Sequence, residues 1–128
     1  MNKAATVALV GIVDDDESVR NSISSLLRSA GYRTQMFESA EAFLESDRMS
    51  DADGLVLDVK MPGLSGIELQ RRLIDLKHTV PIVFVTAHAD AEIREVALAQ
   101  GAVAFFAKPF NDEALLGVLS SAVDSRKQ

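Results

Sequence analysis

Short apolar runs alternate with helical patterns along the chain, and this alternation repeats five times. Four of the runs are continuously apolar, which is typical of parallel strands that are covered on both faces. A fifth run, Tyr32–Phe37, alternates polar and apolar residues and is therefore predicted to be an edge strand. The four predicted buried strands are Val7–Val13, Gly54–Val59, Pro81–Ala87 and Ala102–Ala107.

The helices between these strands are predicted from apolar spacing and from residues that begin or end helices. Gly31 can end the first helix in a left-handed conformation, and Ser65 with Glu68 forms a capping box before the third. Asn111 can cap the last helix. Weaker patterns predict helices over Ser39–Ser46 and Asp90–Gln100. The apolar positions of the first and last helices are Val19, Ile23, Leu26, Leu27 and Ala30, and Leu115, Leu116, Leu119 and Val123.

Five strand–helix units predict an α/β fold with helices on both faces of a parallel sheet. Right-handed crossovers and an edge-like second strand favour a flavodoxin-like, doubly wound (βα)5 three-layer sandwich with strand order 2-1-3-4-5. The 128 residues fit a single domain, with residues 1–5 and 125–128 expected to be tails. Ligands of such sheets bind beyond the carboxyl ends of the strands.

The composition of the chain limits which ligands a functional site could bind. The formal net charge of −6 disfavours direct nucleic-acid binding, because an acidic surface repels phosphate backbones. There is no cysteine and there are only two histidines, His78 and His88, so a metal site would use oxygen ligands and favour magnesium, calcium or manganese. The apolar stretch Ala4–Val13 runs into acidic residues without a cleavage site and is too short to span a membrane, which predicts a cytoplasmic protein.

Several predicted strands end in polar residues that should meet at one rim. Asp14 and Asp15 follow the first strand and Asp58 ends the third, and these carboxylates bring three negative charges. Thr86 ends the fourth strand, and Lys108 after the fifth returns a single positive charge. A divalent cation would cancel the remaining two, and magnesium fits because it needs only one or two protein carboxylates. Each residue also has an ordinary interpretation, as a turn aspartate or a solvent-exposed lysine. The hypothesis of a metal site therefore rests on the occurrence of all these residues together.

Four motifs, in matching order and spacing, make the chain resemble a response-regulator receiver domain of two-component signalling. Further phrases, such as Gly101–Val103, resemble FixJ-type receivers, which usually precede a helix-turn-helix domain. The resemblance covers essentially the whole chain. The four motifs are Val13–Asp16, Leu57–Gly63, Val85–Ala87 and Ala107–Phe110.

The resemblance implies a role for each matched residue. Asp58 would accept a phosphoryl group from a sensor histidine kinase. Asp15 would bind Mg²⁺, or Mn²⁺, directly, Asp14 would bind it partly through water, and the backbone carbonyl of Lys60 would complete the protein ligands together with Asp58. Lys108 and Thr86 would contact phosphoryl oxygens. Such a protein is a phosphoacceptor with at most slow self-dephosphorylation, and not an enzyme.

The resemblance also implies how a signal would leave the site. Thr86 and Phe105 would act as the switch, changing the face formed by the fourth helix, fifth strand and fifth helix. The side chains of Lys60 and His88 would tune hydrolysis, although both also fit ordinary exposed loop residues. Implied partners are the kinase, a phosphorylation-dependent homodimer, and a C-terminal DNA-binding output domain outside these residues.

Other functions stay open at this point. An aspartyl-phosphate hydrolase of the haloacid dehalogenase type would need a second aspartate where Lys60 stands, and a cap domain that 128 residues do not accommodate. A nucleotide-binding domain would need a glycine-rich phosphate loop after a strand, and none is present. A degenerate receiver that only binds proteins would not need Asp58, Thr86 and Lys108. A stand-alone receiver that acts through protein contacts remains an alternative to a transcriptional regulator.

Overall fold

The computed structural model describes residues 7–126, and within them strands and helices alternate from end to end. A short 3-10 turn at Met49–Asp51, which the sequence analysis did not predict, precedes the third strand. The strands are β1 (Leu9–Val13), β2 (Arg33–Phe37), β3 (Gly54–Leu57), β4 (Ile82–Thr86) and β5 (Ala104–Ala107). The helices are α1 (Glu17–Ser29), α2 (Ala40–Glu45), α3 (Gly66–Asp75), α4 (Ala91–Ala99) and α5 (Asp112–Arg126).

The five strands form one parallel sheet in the order β2-β1-β3-β4-β5, which confirms the predicted topology. The predicted strands were one or two residues too long at most ends, because the apolar runs continue into the adjoining loops, both where these are buried, as at Val59, and where they are exposed, as at Val103. The strand order reverses next to β1, so the loops after β1 and β3 open side by side at the carboxyl edge of the sheet. That edge is where ligands of doubly wound sheets bind.

Two hydrophobic clusters, one on each face of the sheet, hold the helices in place. Successive side chains of a strand point to opposite faces, so β3 contributes Leu55 and Leu57 to one cluster and Val56 to the other. The first cluster packs α2, α3 and α4, with Phe43 and Leu73 fully buried. The second packs α1 and α5, and every strand but β2 has a residue in it. The result is the predicted three-layer sandwich.

The burial predicted for the fifth strand was wrong. The apolar run Ala102–Ala107 was expected to be covered on both faces, yet β5 is only half-buried and ends in an exposed residue. The physical reason is its place in the sheet, since β5 pairs only with β4 and forms the second edge. The edge position predicted for β2 is confirmed by its pairing with β1 alone and its partial exposure.

The predicted helix ends are largely confirmed. Gly31 follows α1 with a φ of 99°, which is the left-handed region that glycine reaches without strain. The capping box of Ser65 and Glu68 is formed at α3. The Ala114 backbone N–H donates to Asn111 Oδ1 at 2.9 Å, so Asn111 caps α5.

The expected tails lie mostly outside the described residues. Residues 1–5 and 127–128 are not described, whereas α5 continues through Arg126, so Ser125 and Arg126 belong to the helix. Within residues 7–126, no helix combines the length and the apolar character needed to cross a membrane.

Candidate functional site

The loop after β1 is fixed in place by hydrogen bonds to its backbone. The Asp14 backbone N–H donates to the Phe37 carbonyl at 3.2 Å, and the Asp16 N–H donates to Asp14 Oδ1 at 2.9 Å. Asp16 in turn caps α1 by accepting from the Val19 N–H at 3.2 Å. From the first turn of α1, Arg20 Nη1 donates to the Asp14 carbonyl oxygen at 2.7 Å. The side chain of Asp14 is therefore held at the rim while being almost completely buried.

Asp58 stands directly after β3 and is also buried, with 7% of its surface exposed. Its backbone N–H donates to the Val13 carbonyl at 3.0 Å, which continues the pairing of β3 with β1. Its Oδ1 accepts from the Val59 N–H at 2.7 Å, and this bond orients the carboxylate. Because a charge-assisted bond and burial hold this carboxylate in one orientation, a reacting group can approach it only from a defined direction.

The three carboxylates meet as the strand ends predict. Asp14, Asp15 and Asp58 each offer an oxygen, and these oxygens lie within 4.8 Å of one another. Asp14 and Asp58 are buried, whereas Asp15 faces solvent. An all-oxygen donor set that is open on one side suits a hard divalent cation that keeps water ligands. The chemistry of this cluster therefore fits a magnesium or manganese ion.

Lys108 brings a positive charge to the same rim. Its Nζ donates to Asp14 Oδ2 at 3.2 Å, and the lysine side chain is only 20% exposed. The Lys108 backbone N–H donates to the Thr86 carbonyl at 2.9 Å, so the ends of β4 and β5 lie side by side. The cluster of three carboxylates and this lysine is called the acidic rim below.

Burial raises the pKa of the Asp14 carboxyl above its ordinary value of 3.8. The Asp16 N–H bond opposes this change, the neighbouring charge of Asp58 adds to it, and the ammonium group of Lys108 opposes it as well. Because burial is the largest of these effects, the net pKa shift is upward despite the ammonium group of Lys108. The acidic rim therefore favours binding of additional positive charge.

The two predicted switch residues occupy β4 and β5. Thr86 is completely buried, and its Oγ1 accepts from the His88 backbone N–H at 3.0 Å. Phe105 is half-buried, and its ring centroid lies 5.9 Å from that of Phe84 in a tilted arrangement. Phe84 is paired with Phe105 across the two strands. Both switch positions thus lie in strands of the sheet, and only Phe105 is partly exposed.

The two predicted tuning residues are exposed loop residues. Lys60 follows β3 and His88 follows β4, and both line the groove between the β3–α3 loop and α4. Their position near the carboxyl ends of two strands is the one expected from the sequence. Their exposure is equally that of ordinary loop residues.

Comparison with known proteins decides the family. The family model described as the response regulator receiver domain matches residues 10–120, which is most of the chain. The chain belongs to the response regulator receiver domain family. Its functional class, a receiver of two-component response regulators, follows with the family.

Individual relatives place this receiver next to transcriptional regulators. It is 42% identical over 116 residues to the response regulator protein TmoT of Ectopseudomonas mendocina, covering 91% of this chain and 53% of TmoT. It is 39% identical over 112 residues to the transcriptional regulatory protein FixJ of Bradyrhizobium diazoefficiens, covering 88% of this chain and 55% of FixJ. The receiver thus spans about half the length of these relatives. The expected resemblance to FixJ-type receivers is confirmed.

A solved structure supports the same assignment. The crystal structure of FixJ-N superposes on this receiver with a TM-score of 0.82 at 39% identity, covering 91% of this chain and 94% of that one. Because nearly the whole of that chain is matched, the likeness concerns the entire domain and not a shared fragment.

Three residues that support the receiver's acidic rim were not identified from the sequence. Arg20 holds the Asp14 carbonyl, as described above. Glu41 Oε2, at the start of α2, accepts from the Leu64 N–H at 2.9 Å and so fixes the β3–α3 loop. Gly66 begins α3 so close to Asp58 that a Cβ on it would overlap the Asp58 carbonyl oxygen. Only the last had a sequence signal, since a glycine at the start of a helix that is already capped needs a reason.

Proposed function

We propose that this receiver is cytoplasmic and accepts a phosphoryl group from the phosphohistidine of a sensor histidine kinase onto Asp58, in a reaction that requires Mg²⁺. The observation that carries the proposal is the acidic rim itself. Asp58 lies within 4.8 Å of Asp14 and Asp15, and Lys108 contacts Asp14 at 3.2 Å. This arrangement combines a buried nucleophile with groups that can neutralise an incoming phosphoryl group.

In the proposed transfer, a carboxylate oxygen of Asp58 forms a bond to phosphorus while the phosphorus–nitrogen bond to the kinase histidine breaks. The electron pair of that bond returns to the imidazole, and Asp58 becomes an acyl phosphate. The bond from the Val59 N–H to Asp58 Oδ1 leaves Oδ2 as the attacking oxygen. Catalysis then depends on positioning and on neutralising charge at the phosphoryl oxygens.

Asp14, Asp15, Asp58 and the backbone carbonyl of Lys60 would hold the metal ion, and a bound ion supplies charge neutralisation at phosphoryl oxygens. Glu41 supports this site indirectly, because its bond to the Leu64 N–H restrains the loop that presents the Lys60 carbonyl. Lys108 would exchange its contact with Asp14 for a phosphoryl oxygen. Only a short movement of the Lys108 side chain is needed, because its ammonium group already lies at the acidic rim.

Thr86 and Phe105 would transmit phosphorylation to the face formed by α4, β5 and α5. Because Thr86 Oγ1 accepts from the His88 N–H, its hydroxyl proton can be donated to a phosphoryl oxygen. Phe105 would repack beside Phe84. The receiver would exist in two conformations, and phosphorylation would raise the population of one of them at the expense of the other. Phenylalanine has no hydroxyl group, so this switch works through packing.

The output would belong to a longer protein. Relatives named as response regulators and transcriptional regulators are about twice as long as the matched region, which supports a C-terminal DNA-binding domain outside these residues. Phosphorylation would promote a homodimer through the α4–β5–α5 face. The receiver would then be a phosphoacceptor that dephosphorylates slowly, and not an enzyme that turns over a substrate.

Intact-mass spectrometry after incubation with acetyl phosphate and Mg²⁺ tests this proposal. The native protein should gain one phosphoryl group, and Asp58→Asn should gain none. Asp75→Asn, a matched change at an exposed aspartate that ends α3, should behave as the native protein does. Omission of Mg²⁺ with a chelator should prevent the mass gain in every variant.

Two outcomes would contradict the proposal. An equal mass gain in Asp58→Asn would show that another residue is the acceptor. Multiple-turnover release of phosphate from varied phosphomonoesters, abolished by Asp58→Asn, would identify a hydrolase of the aspartyl-phosphate type.

A further inference from the structure

A buried polar contact joins the middle of α3 to the C-terminal part of α4. Gln70 of α3 is 1% exposed, and its Nε2 donates to the Ala97 carbonyl of α4 at 2.9 Å. A fully buried amide requires hydrogen-bond partners, because an unsatisfied one loses its bonds to water without replacement. This contact therefore fixes the distance between the two helices at that point.

The same amide is bonded on its other side. Gln100, the residue that caps α4, donates from its Nε2 to Gln70 Oε1 at 2.7 Å. Gln100 Oε1 accepts from both Nε and Nη2 of Arg71, at 3.1 and 3.0 Å. Gln70, Arg71 and Gln100 thus form a continuous chain of hydrogen bonds from α3 to the end of α4, called the glutamine clamp below.

The opposite end of α4 has no comparable attachment among the contacts described for residues 7–126. A groove of about 910 Å³ opens between the N-terminal half of α4 and the β3–α3 region, with Met61, Ile67 and Ile93 in its walls. The β4–α4 loop, Ala87–Asp90, is exposed throughout. Ala97, whose carbonyl the clamp holds, is the one residue of α4 that is fully buried.

We propose that Gln70 is a positioning residue that makes the C-terminal end of α4 a fixed pivot. Motion that begins at Thr86 would enter α4 through the exposed β4–α4 loop and displace its N-terminal half along the groove. The C-terminal half, held by the clamp, stays in place. The inference rests on the proposed function for the origin of the motion, whereas the anchoring of α4 by Gln70 does not depend on phosphorylation.

Amide hydrogen exchange measured residue by residue by NMR tests the pivot. With Mg²⁺ and beryllium fluoride, which forms a tetrahedral phosphoryl mimic on a carboxylate, exchange rates should change over residues 91–95 and stay constant over 96–100. Equal changes in both halves of α4, or changes confined to 96–100, would overturn the inference.

Variants of the clamp test the role of Gln70 itself. Without any phosphoryl mimic, Gln70→Leu should accelerate amide exchange over residues 96–100 about tenfold. Leucine has a volume similar to that of glutamine, so the packing is kept while the hydrogen bonds of the Gln70 amide are lost. Arg71→Ala, at an exposed position, should produce a smaller acceleration in the same residues and guards against misfolding of the buried variant. Arg72→Ala, the same change at the next exposed position of α3, should leave that segment unchanged.

The outcomes separate this inference from the proposed function. Unaltered exchange over 96–100 in both Gln70→Leu and Arg71→Ala would overturn the clamp, whatever happens at Asp58. Failure of the native protein to gain a phosphoryl group would reject the proposed function, and the clamp would still be judged by the unliganded variants. With the mimic bound, Gln70→Leu should show exchange changes along all of α4, since its pivot is lost, and changes still confined to residues 91–95 would overturn the pivot.

Discussion

Gly66 is the residue whose lack of a side chain brings α3 close enough to support Asp58. A Cβ at this position would overlap the Asp58 carbonyl oxygen and would lie 3.0 Å from the Phe84 ring. The Asp58 backbone is held by the bond from its N–H to the Val13 carbonyl, so its carbonyl oxygen cannot easily move away from such a contact. We therefore expect Gly66→Ala to lower the free energy of unfolding by about 3 kcal/mol, the upper part of the range for overpacking, as measured by urea denaturation.

A glycine in open surroundings provides the control. Gly117 lies in the middle of α5, and nothing would approach a Cβ there within 4 Å. Gly117→Ala should raise the free energy of unfolding by about 0.5–1 kcal/mol, because alanine loses less backbone entropy in a helix. A cost at Gly66 no larger than the effect at Gly117 would show that the α3–Asp58 contact is not tight.

At the residue scale, the sequence predicted the residues whose chemistry is visible in their type and position. Asp58, Asp14 and Lys108 stand where apolar strands end, and parallel strands end at a common edge. Glu41 was missed because it contacts a backbone group far along the chain, and Gly66 was missed because its close contact with Asp58 depends on how α3 packs against the end of β3. Glu41 bonds to a residue 23 positions later, and no local pattern encodes such a contact.

At the scale of helices and strands, local signals were reliable and long-range ones were not. The capping box at Ser65 depends on neighbouring residues only, and it formed as predicted. The half-burial of β5 depends on which strands flank it, and this is a property of the completed sheet. A run of apolar residues indicates that a strand is packed against other elements, but it does not indicate whether the strand has a neighbouring strand on one edge or on both.

The contact between α2 and the β3–α3 loop should make stability depend on pH. The bond from the Leu64 N–H holds the pKa of the Glu41 carboxyl below its usual 4.5, so ionised Glu41 stabilises the folded state. This stabilisation is present above pH 4.5 and is lost as the pH falls through the lowered pKa. We expect Glu41→Gln to be less stable than the native protein at neutral pH, with the difference narrowing in acid.

Urea denaturation of both proteins, in steps from neutral pH to below 4.5, measures that difference. Glu45→Gln changes an exposed glutamate at the end of the same helix and should follow the native curve at each pH. A constant difference between Glu41→Gln and the native protein across the range would contradict a charge-dependent contact.

At the scale of the whole molecule, the sheet forces like charges together that an unfolded chain would keep apart. Asp14 and Asp58 are separated by 44 positions in sequence, yet both are buried at one edge. Burial, and to a smaller extent the neighbouring charge of Asp58, raises the pKa of Asp14, so the ionised carboxylate is less favourable in the folded state than in the unfolded chain. Packing of the two hydrophobic clusters must offset that cost, and a bound cation would remove part of it.

A cation that binds only the folded receiver should therefore stabilise the entire domain. At a Mg²⁺ concentration about 100-fold above its dissociation constant, mass action adds about 2.7 kcal/mol to the free energy of unfolding, which raises the Tm by roughly 10 °C. Thermal unfolding at constant ionic strength should show this rise in the native protein. Asp15→Asn removes a carboxylate from the exposed side of the acidic rim and should abolish most of the rise, whereas Asp124→Asn, an exposed position in α5, should preserve it. An equal rise in all three proteins would mean that Mg²⁺ stabilises this fold somewhere other than the rim, and the rim would then lose its role as the metal site.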